Sequence, residues 1–234
     1  MSPTVIGIDL DNTIIDYSNA FRYTAQKLKL LTKDWINTNL LESSGYSQKS
    51  FIKKHVLSLD KGDYKWESLQ GLVYGRYIHH AKIFPGAANF FLHCHRRSEK
   101  VHIISHKTDF GHHDKSKTPL RKVALKFLGE NNFLSGDFGI TADDIFFFDT
   151  RKGKVNKIAE LGCNYFIDDL PEIFEEPDFP SNTKKILFDV QSEHSDNNSF
   201  NSWYKINELF FNDIQNDDVS LYVETGLKEE VKTV

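Results

Sequence analysis

Cysteine is scarce in this chain: Cys94 and Cys163 are the only two in 234 residues, and they lack metal-binding spacing. They read as reduced core residues of an intracellular protein. A basic excess is also missing. Lys and Arg total 29 against 33 Asp and Glu, a net charge of −4, which argues against a general nucleic-acid binder. No stretch approaches the length of a membrane span, and Met1-Ser2-Pro3-Thr4 is not a basic region followed by an apolar run. The expectation is a soluble, cytoplasmic protein. Internal repeats and low-complexity tracts are absent too.

What is present suffices for a sizeable core, with 39% hydrophobic residues and 19 Phe. The length suits one domain, or a core with a smaller lid. Val5-Ile6-Gly7-Ile8 reads as an apolar strand running into Asp9-Leu10-Asp11-Asn12-Thr13. Strand side chains alternate, so Asp9 and Asp11 start on one side of the backbone. Two acids so close repel unless a cation lies between them, and a hard divalent ion with oxygen ligands removes the conflict. One carboxylate is then available as a nucleophile and the other as a proton donor and acceptor. Taken alone, the segment reads equally as a strand ending in an acidic turn.

Three further strands carry polar groups at their ends. Val101-His102-Ile103-Ile104 leads into Ser105-His106-Lys107. Residues 145–148 lead into Asp149-Thr150-Arg151-Lys152-Gly153-Lys154 and a helical run. Tyr165-Phe166-Ile167 leads into Asp168-Asp169-Leu170-Pro171-Glu172. Acid pair, hydroxyl, lysine and acid pair, in that order over roughly residues 4–190, resemble the haloacid dehalogenase-like (HAD) hydrolase superfamily, in its phosphatase branch with a helical cap after the first strand.

The resemblance implies an α/β fold: a doubly wound, Rossmann-like parallel sheet with a small all-helical cap. It implies Asp9 as nucleophile, forming an aspartyl-phosphate, and Asp11 as the acid that protonates the leaving oxygen and later activates water. Family members that cleave carbon–halogen bonds lack an acid at the Asp11 position, so its presence points to phosphate esters or anhydrides. Asn12 stands where glycine is common and tolerates the same left-handed backbone. Ser105 and Lys154 would bind the phosphoryl group, with Lys152 and Lys157 as alternatives to Lys154. A Mg²⁺ ion would be held by Asp9, the main-chain carbonyl of Asp11 and Asp169, with Asp168 acting through water or the lysine. His106 and Lys107 follow Ser105 and are possible contacts to the leaving group. The ten histidines lack the spacing and partners of a zinc site.

Residues 1–15 and 83–213 are expected to form the core, 16–82 the cap and 214–234 a C-terminal tail. Within the cap, helices are expected over 19–31 capped by Ser18, after a Ser47 cap through Val56, and over 66–80. Gly71 and Gly75 lie four apart on the last of these, which suggests close approach by another backbone or by substrate. Core helices are expected over 86–97 and 118–128, a fifth strand over 185–190, a polar loop over 192–199, and an amphipathic helix from Phe200 capped by Asn198 or Ser199. A short strand or a frayed end is expected over 219–223.

The favoured function is a Mg²⁺-dependent phosphatase acting on a small phosphorylated metabolite. A phosphoprotein substrate, for example phosphotyrosine, and a non-catalytic binding or regulatory protein on the same scaffold are the alternatives. Nucleic acid and a membrane span are not expected among its partners.

Overall fold

The computed structural model describes residues 3–40, 48–113, 116–192, 194 and 198–211. The expected Ser47 cap and the 219–223 strand lie outside them. Six parallel strands form the central sheet: β1 (Val5–Ile8), β4 (Lys100–His106), β5 (Ile145–Phe148), β6 (Tyr165–Asp168), β7 (Lys184–Phe188) and β8 (Ser199–Phe200), in the order β5-β4-β1-β6-β7-β8. From β1 the chain moves outward to β4 and β5, then returns to the other side of β1 for β6, β7 and β8. The direction reverses between β1 and β6, and such a reversal opens a crevice at the carboxyl ends of the strands.

Alternation along the strands covers both faces. Ile6, Ile8, Ile103, Ile167, Ile186 and Phe188 join one core cluster with Phe90, Phe91 and Cys94 of α5 (Ala87–Arg96) and Trp203 and Ile206 of α9 (Trp203–Phe211). Ile104 and Phe166 face the other way, onto Val155 and Ile158 of α7 (Arg151–Glu160) and Cys163. Both cysteines are free and buried. Gly7 is required here: a Cβ on it would lie 2.6 Å from the Phe166 ring. α6 (Leu120–Glu130) precedes β5, and the short α8 (Pro171–Phe174) follows β6.

Between β1 and β4 the chain leaves the sheet through β2 (Ile15–Asp16) and returns through β3 (Lys82–Ile83), which pair antiparallel. Among the described residues four α-helices lie between them: α1 (Ser18–Lys27), α2 (Lys33–Asn39), α3 (Gln48–Leu57) and α4 (Gly62–Tyr74). Phe21 of α1 stacks on Trp66 of α4 at 5.2 Å, and Ile52 and Val56 of α3 complete this packing. Among the described residues no helix is long and apolar enough to cross a membrane.

Several element boundaries differ from the sequence reading. Ser18 is the first residue of α1 rather than its cap; Tyr17 holds the cap position without a side-chain bond, and the Ser18 amide donates to the Asp16 carboxylate at 2.9 Å. The expected 19–31 helix ends at Lys27, and a separate helix, α2, starts after Thr32, whose hydroxyl accepts from the Trp35 amide. α4 starts earlier than expected and stops before Gly75, leaving Ile78–His80 as a 3₁₀ turn. Ser199 and Phe200 pair with β7 as an edge strand, so the last helix starts at Trp203.

Candidate active site

The turn after β1 is closed by backbone bonds, from the Asn12 amide to the Ile15 carbonyl at 2.9 Å and from the Ile14 amide to the Leu10 carbonyl at 3.0 Å. Asn12 has φ 66°, the left-handed conformation that asparagine tolerates. The Asp9 amide donates to the Ile167 carbonyl at 2.9 Å, which locks the end of β1 against the end of β6. The indole of Trp203 donates to the Thr13 carbonyl at 2.8 Å from beneath.

Lys154 is buried, with 1% exposure. It projects from the first turns of α7, whose amino end is capped by the Thr150 hydroxyl accepting from the Gly153 amide. Its Nζ donates to Asp9 Oδ1 at 2.5 Å and to Asp168 Oδ2 at 2.6 Å. Lys152 instead lies 3.8 Å from the exposed Asp178, and Lys157 pairs with Glu160. Of the three lysines weighed from sequence, Lys154 is the one brought to the acids.

Carboxylate oxygens of Asp9, Asp168 and Asp169 come within 4.8 Å of one another. Burial pushes Asp9 up to about 7; Lys154 opposes the shift, while Asp168 and Asp11 add to it. Burial likewise raises Asp169 well above the usual carboxylate range, with Lys49 opposing and Asp168 and Asp9 adding. The Asp169 Oδ1 meets the Thr13 hydroxyl at 3.5 Å, the long limit of a hydrogen bond. Lys154 is pulled down by burial, but Asp168 and Asp9 more than compensate and hold it protonated. Crowded, buried carboxylates with oxygen donors facing one point suit a hard divalent cation, and Mg²⁺ fits this donor set.

Ser105 is the next-to-last residue of β4, the strand that pairs with β1. It is 1% exposed, and its hydroxyl has no hydrogen-bond partner among the described residues. A buried hydroxyl without a partner is costly, and a ligand oxygen would satisfy it.

Asp11 is held by different groups. Its Oδ1 accepts from the Tyr17 hydroxyl at 2.7 Å and from Lys107 Nζ at 2.9 Å, and its Oδ2 accepts from the same Nζ at 2.7 Å. Beside this pair a cavity of about 160 Å³ opens between α4 and the loop that follows β4. Gln70, Gly71 and Tyr74 wall it on the α4 side, and His106, Lys107 and His112 on the other. His106 also contacts the Asp149 carbonyl through Nε2 at 3.0 Å. Gly71 meets a backbone: a Cβ on Gly111 would stand 2.4 Å from the Gly71 Cα. Gly75 lies away from the cavity wall, against the side chains of Leu120 and Thr118.

Sequence reasoning missed Tyr17, Tyr74 and Lys49. Lys49 of α3 is half-buried with its Nζ 5.7 Å from the centre of the Phe21 ring. Burial lowers its ammonium, but Tyr74, Asp169 and Asp11 outweigh this and raise it. No local motif marks any of the three, because each reaches the site through packing of the inserted helices.

No family model matches the chain, and no curated protein matches it. Solved structures do. A hydrolase from Streptococcus pneumoniae TIGR4 is 15% identical over 92% of this chain and 100% of its own, with a TM-score of 0.51. A HAD family hydrolase from Deinococcus radiodurans R1, with bound phosphate and sodium, is 11% identical over 89% of this chain and 95% of its own, at 0.52. A HAD-superfamily hydrolase from Geobacter sulfurreducens is 9% identical over 88% and 96%, at 0.50. The chain therefore has the fold of the HAD hydrolases. At these identities the likeness speaks to the fold alone.

Proposed function

We propose that this chain is a Mg²⁺-dependent phosphatase that hydrolyses a small phosphate monoester through an aspartyl-phosphate on Asp9. The observation that carries the reading is the buried arrangement of Asp9, Lys154, Asp168 and Asp169, together with a Ser105 hydroxyl that lacks a partner among the described residues. A carboxylate oxygen of Asp9 attacks phosphorus, the bond from phosphorus to the ester oxygen breaks, and Asp11 gives that oxygen a proton. Water then attacks phosphorus while losing a proton to Asp11, which releases phosphate and restores the Asp9 carboxylate.

Lys154 and Ser105 would hold the phosphoryl oxygens through this exchange, since such transfer needs mainly positioning and charge neutralisation. Asp9, Asp169 and the main-chain carbonyl of Asp11 would hold the Mg²⁺, with Asp168 behind them. The ion supplies positive charge that keeps Asp9 ionised and offsets the charge of the transferred group. Residues 16–82 act as a lid over the crevice, and the small cavity under α4 favours a metabolite over a protein side chain. The phosphate bound by the Deinococcus radiodurans neighbour is in keeping with this reading.

The test is turnover of p-nitrophenyl phosphate by the full chain at millimolar Mg²⁺ across roughly pH 5–8, the span in which catalytic carboxylates usually operate. Activity that EDTA abolishes is expected. No turnover across that range would sink the enzyme reading.

A further inference from the structure

Lys107 is the least ordinary group of the site. It is 3% exposed, and its ammonium lies 4.8 Å from the centre of the Tyr74 ring and 5.8 Å from that of Tyr17. Its backbone is fixed at both ends: its amide donates to the Phe148 carbonyl at 2.9 Å, and its carbonyl accepts from Arg121 Nε at 2.8 Å. Arg121 is anchored in turn by Asp149 at 2.7 Å and Asp109 at 3.2 Å. A lysine held this firmly is positioned rather than merely packed.

Both oxygens of Asp11 are taken up by Lys107 and Tyr17. A substrate ester oxygen that approaches Asp11 from the cavity competes with Lys107 for the same two oxygens. A buried ammonium deprived of its partner is strongly unfavourable, so something must replace the carboxylate that it loses. Lys107 and Asp11 line the same cavity, so the replacement can come from the molecule occupying it. Glu67 lines that cavity too, but it already meets His113 at 3.0 Å.

We propose that Lys107 is the specificity-determining residue of the site and that it selects phosphate esters whose leaving group carries a carboxylate. The substrate carboxylate accepts the two hydrogen bonds that Asp11 gives up, and Asp11 is released to act on the ester oxygen. The cavity of about 160 Å³ beside Lys107 has room for the carbon chain of a short hydroxy acid. This inference rests on the phosphatase reading for its chemistry and adds the substrate class.

The experiment uses two matched esters on the full chain with Mg²⁺: the phosphate ester of 3-hydroxypropanoate and propyl phosphate, which has a methyl group in place of the carboxylate. The carboxylate ester should be favoured in kcat/KM by at least about tenfold, because a site that binds a polar group discriminates against analogues lacking it. In Lys107→Met the ratio should fall to about one, and Lys107→Arg, which keeps the charge, should restore part of it. Calorimetry supplies a readout that needs no turnover: 4-phosphonobutanoate should bind more tightly than butylphosphonate, with and without Mg²⁺. A ratio near one in the unaltered chain, with both esters hydrolysed, overturns the inference and leaves the phosphatase reading standing. If no ester is turned over, the phosphatase reading fails, and the calorimetric comparison still decides for or against Lys107 as a carboxylate anchor.

Discussion

Trp203 and Thr13 are 190 residues apart in sequence, yet the indole of one donates to the backbone carbonyl of the other at 2.8 Å. The last described helix thus holds the turn that carries Asp9 and Asp11. Trp203→Phe removes the donor and part of a fully buried ring. It should cost about 1–3 kcal/mol of stability. Denaturant unfolding measures that loss, and kcat should fall more than KM rises because the acids lose their seating. Unchanged kcat in a folded variant would show that the turn holds itself.

Asp9→Asn and Asp11→Asn should fail differently. Loss of the nucleophile should lower turnover by on the order of 10⁴–10⁶. Asp11→Asn should be milder with p-nitrophenyl phosphate, whose leaving group needs little protonation, and harsher with alkyl esters. Steady-state kinetics on the two substrate types separates the roles. Wild-type turnover by Asp9→Asn would make the nucleophile assignment wrong.

The raised Asp9 has a consequence for stability in EDTA. Its native value is about 7 and its ordinary value 3.8, so between them the folded chain keeps a proton that the unfolded chain has released. Stability therefore falls as pH rises through that window and levels off above it. Asp9→Asn lacks this slope and should gain on the unaltered chain by on the order of a few kcal/mol from pH 4 to pH 7. Parallel denaturation curves at four or five pH values measure the difference, and a constant offset would contradict the shift.

The Gly71–Gly111 contact predicts an asymmetry between two small substitutions. A Cβ on Gly111 would stand 2.4 Å from the Gly71 Cα, whereas one on Gly71 would stand 3.0 Å from the His112 carbonyl. Gly111→Ala should force α4 off the loop, at about 1–3 kcal/mol as for other overpacked sites. Gly71→Ala should cost less. Hydrogen exchange along α4 should quicken in Gly111→Ala first.

If the inserted helices close over a bound phosphoryl group, beryllofluoride with Mg²⁺ should slow hydrogen exchange in α4 more than in α9. Equal exchange with and without the mimic would make the insert a fixed wall.

The residues that sit at strand ends were the legible ones. Alternation along β1 put Asp9 at a strand end, and Ser105, Lys154, Asp168 and Asp169 were singled out by the order of their motifs, through the resemblance to the HAD hydrolases. Residues joined only by tertiary packing left no such trace. Lys107 reaches Asp11 across 96 positions, and no local spacing links them. α2 went unread because none of its residues is buried, and without an apolar stripe there is no helical period to detect. The edge strand β8 is two residues long and exists by virtue of pairing with β7, which a propensity reading cannot register. Ser18 was misplaced by one position, since the α1 helix already includes it and its amide donates to the Asp16 carboxylate at the end of β2.

The ribbon of β2 and β3 places the departure and return of the inserted helices side by side, with Ile15 opposite Ile83. A graft made across that pair would leave the ends of the sheet where they are, since insertions are tolerated where chain ends are already close.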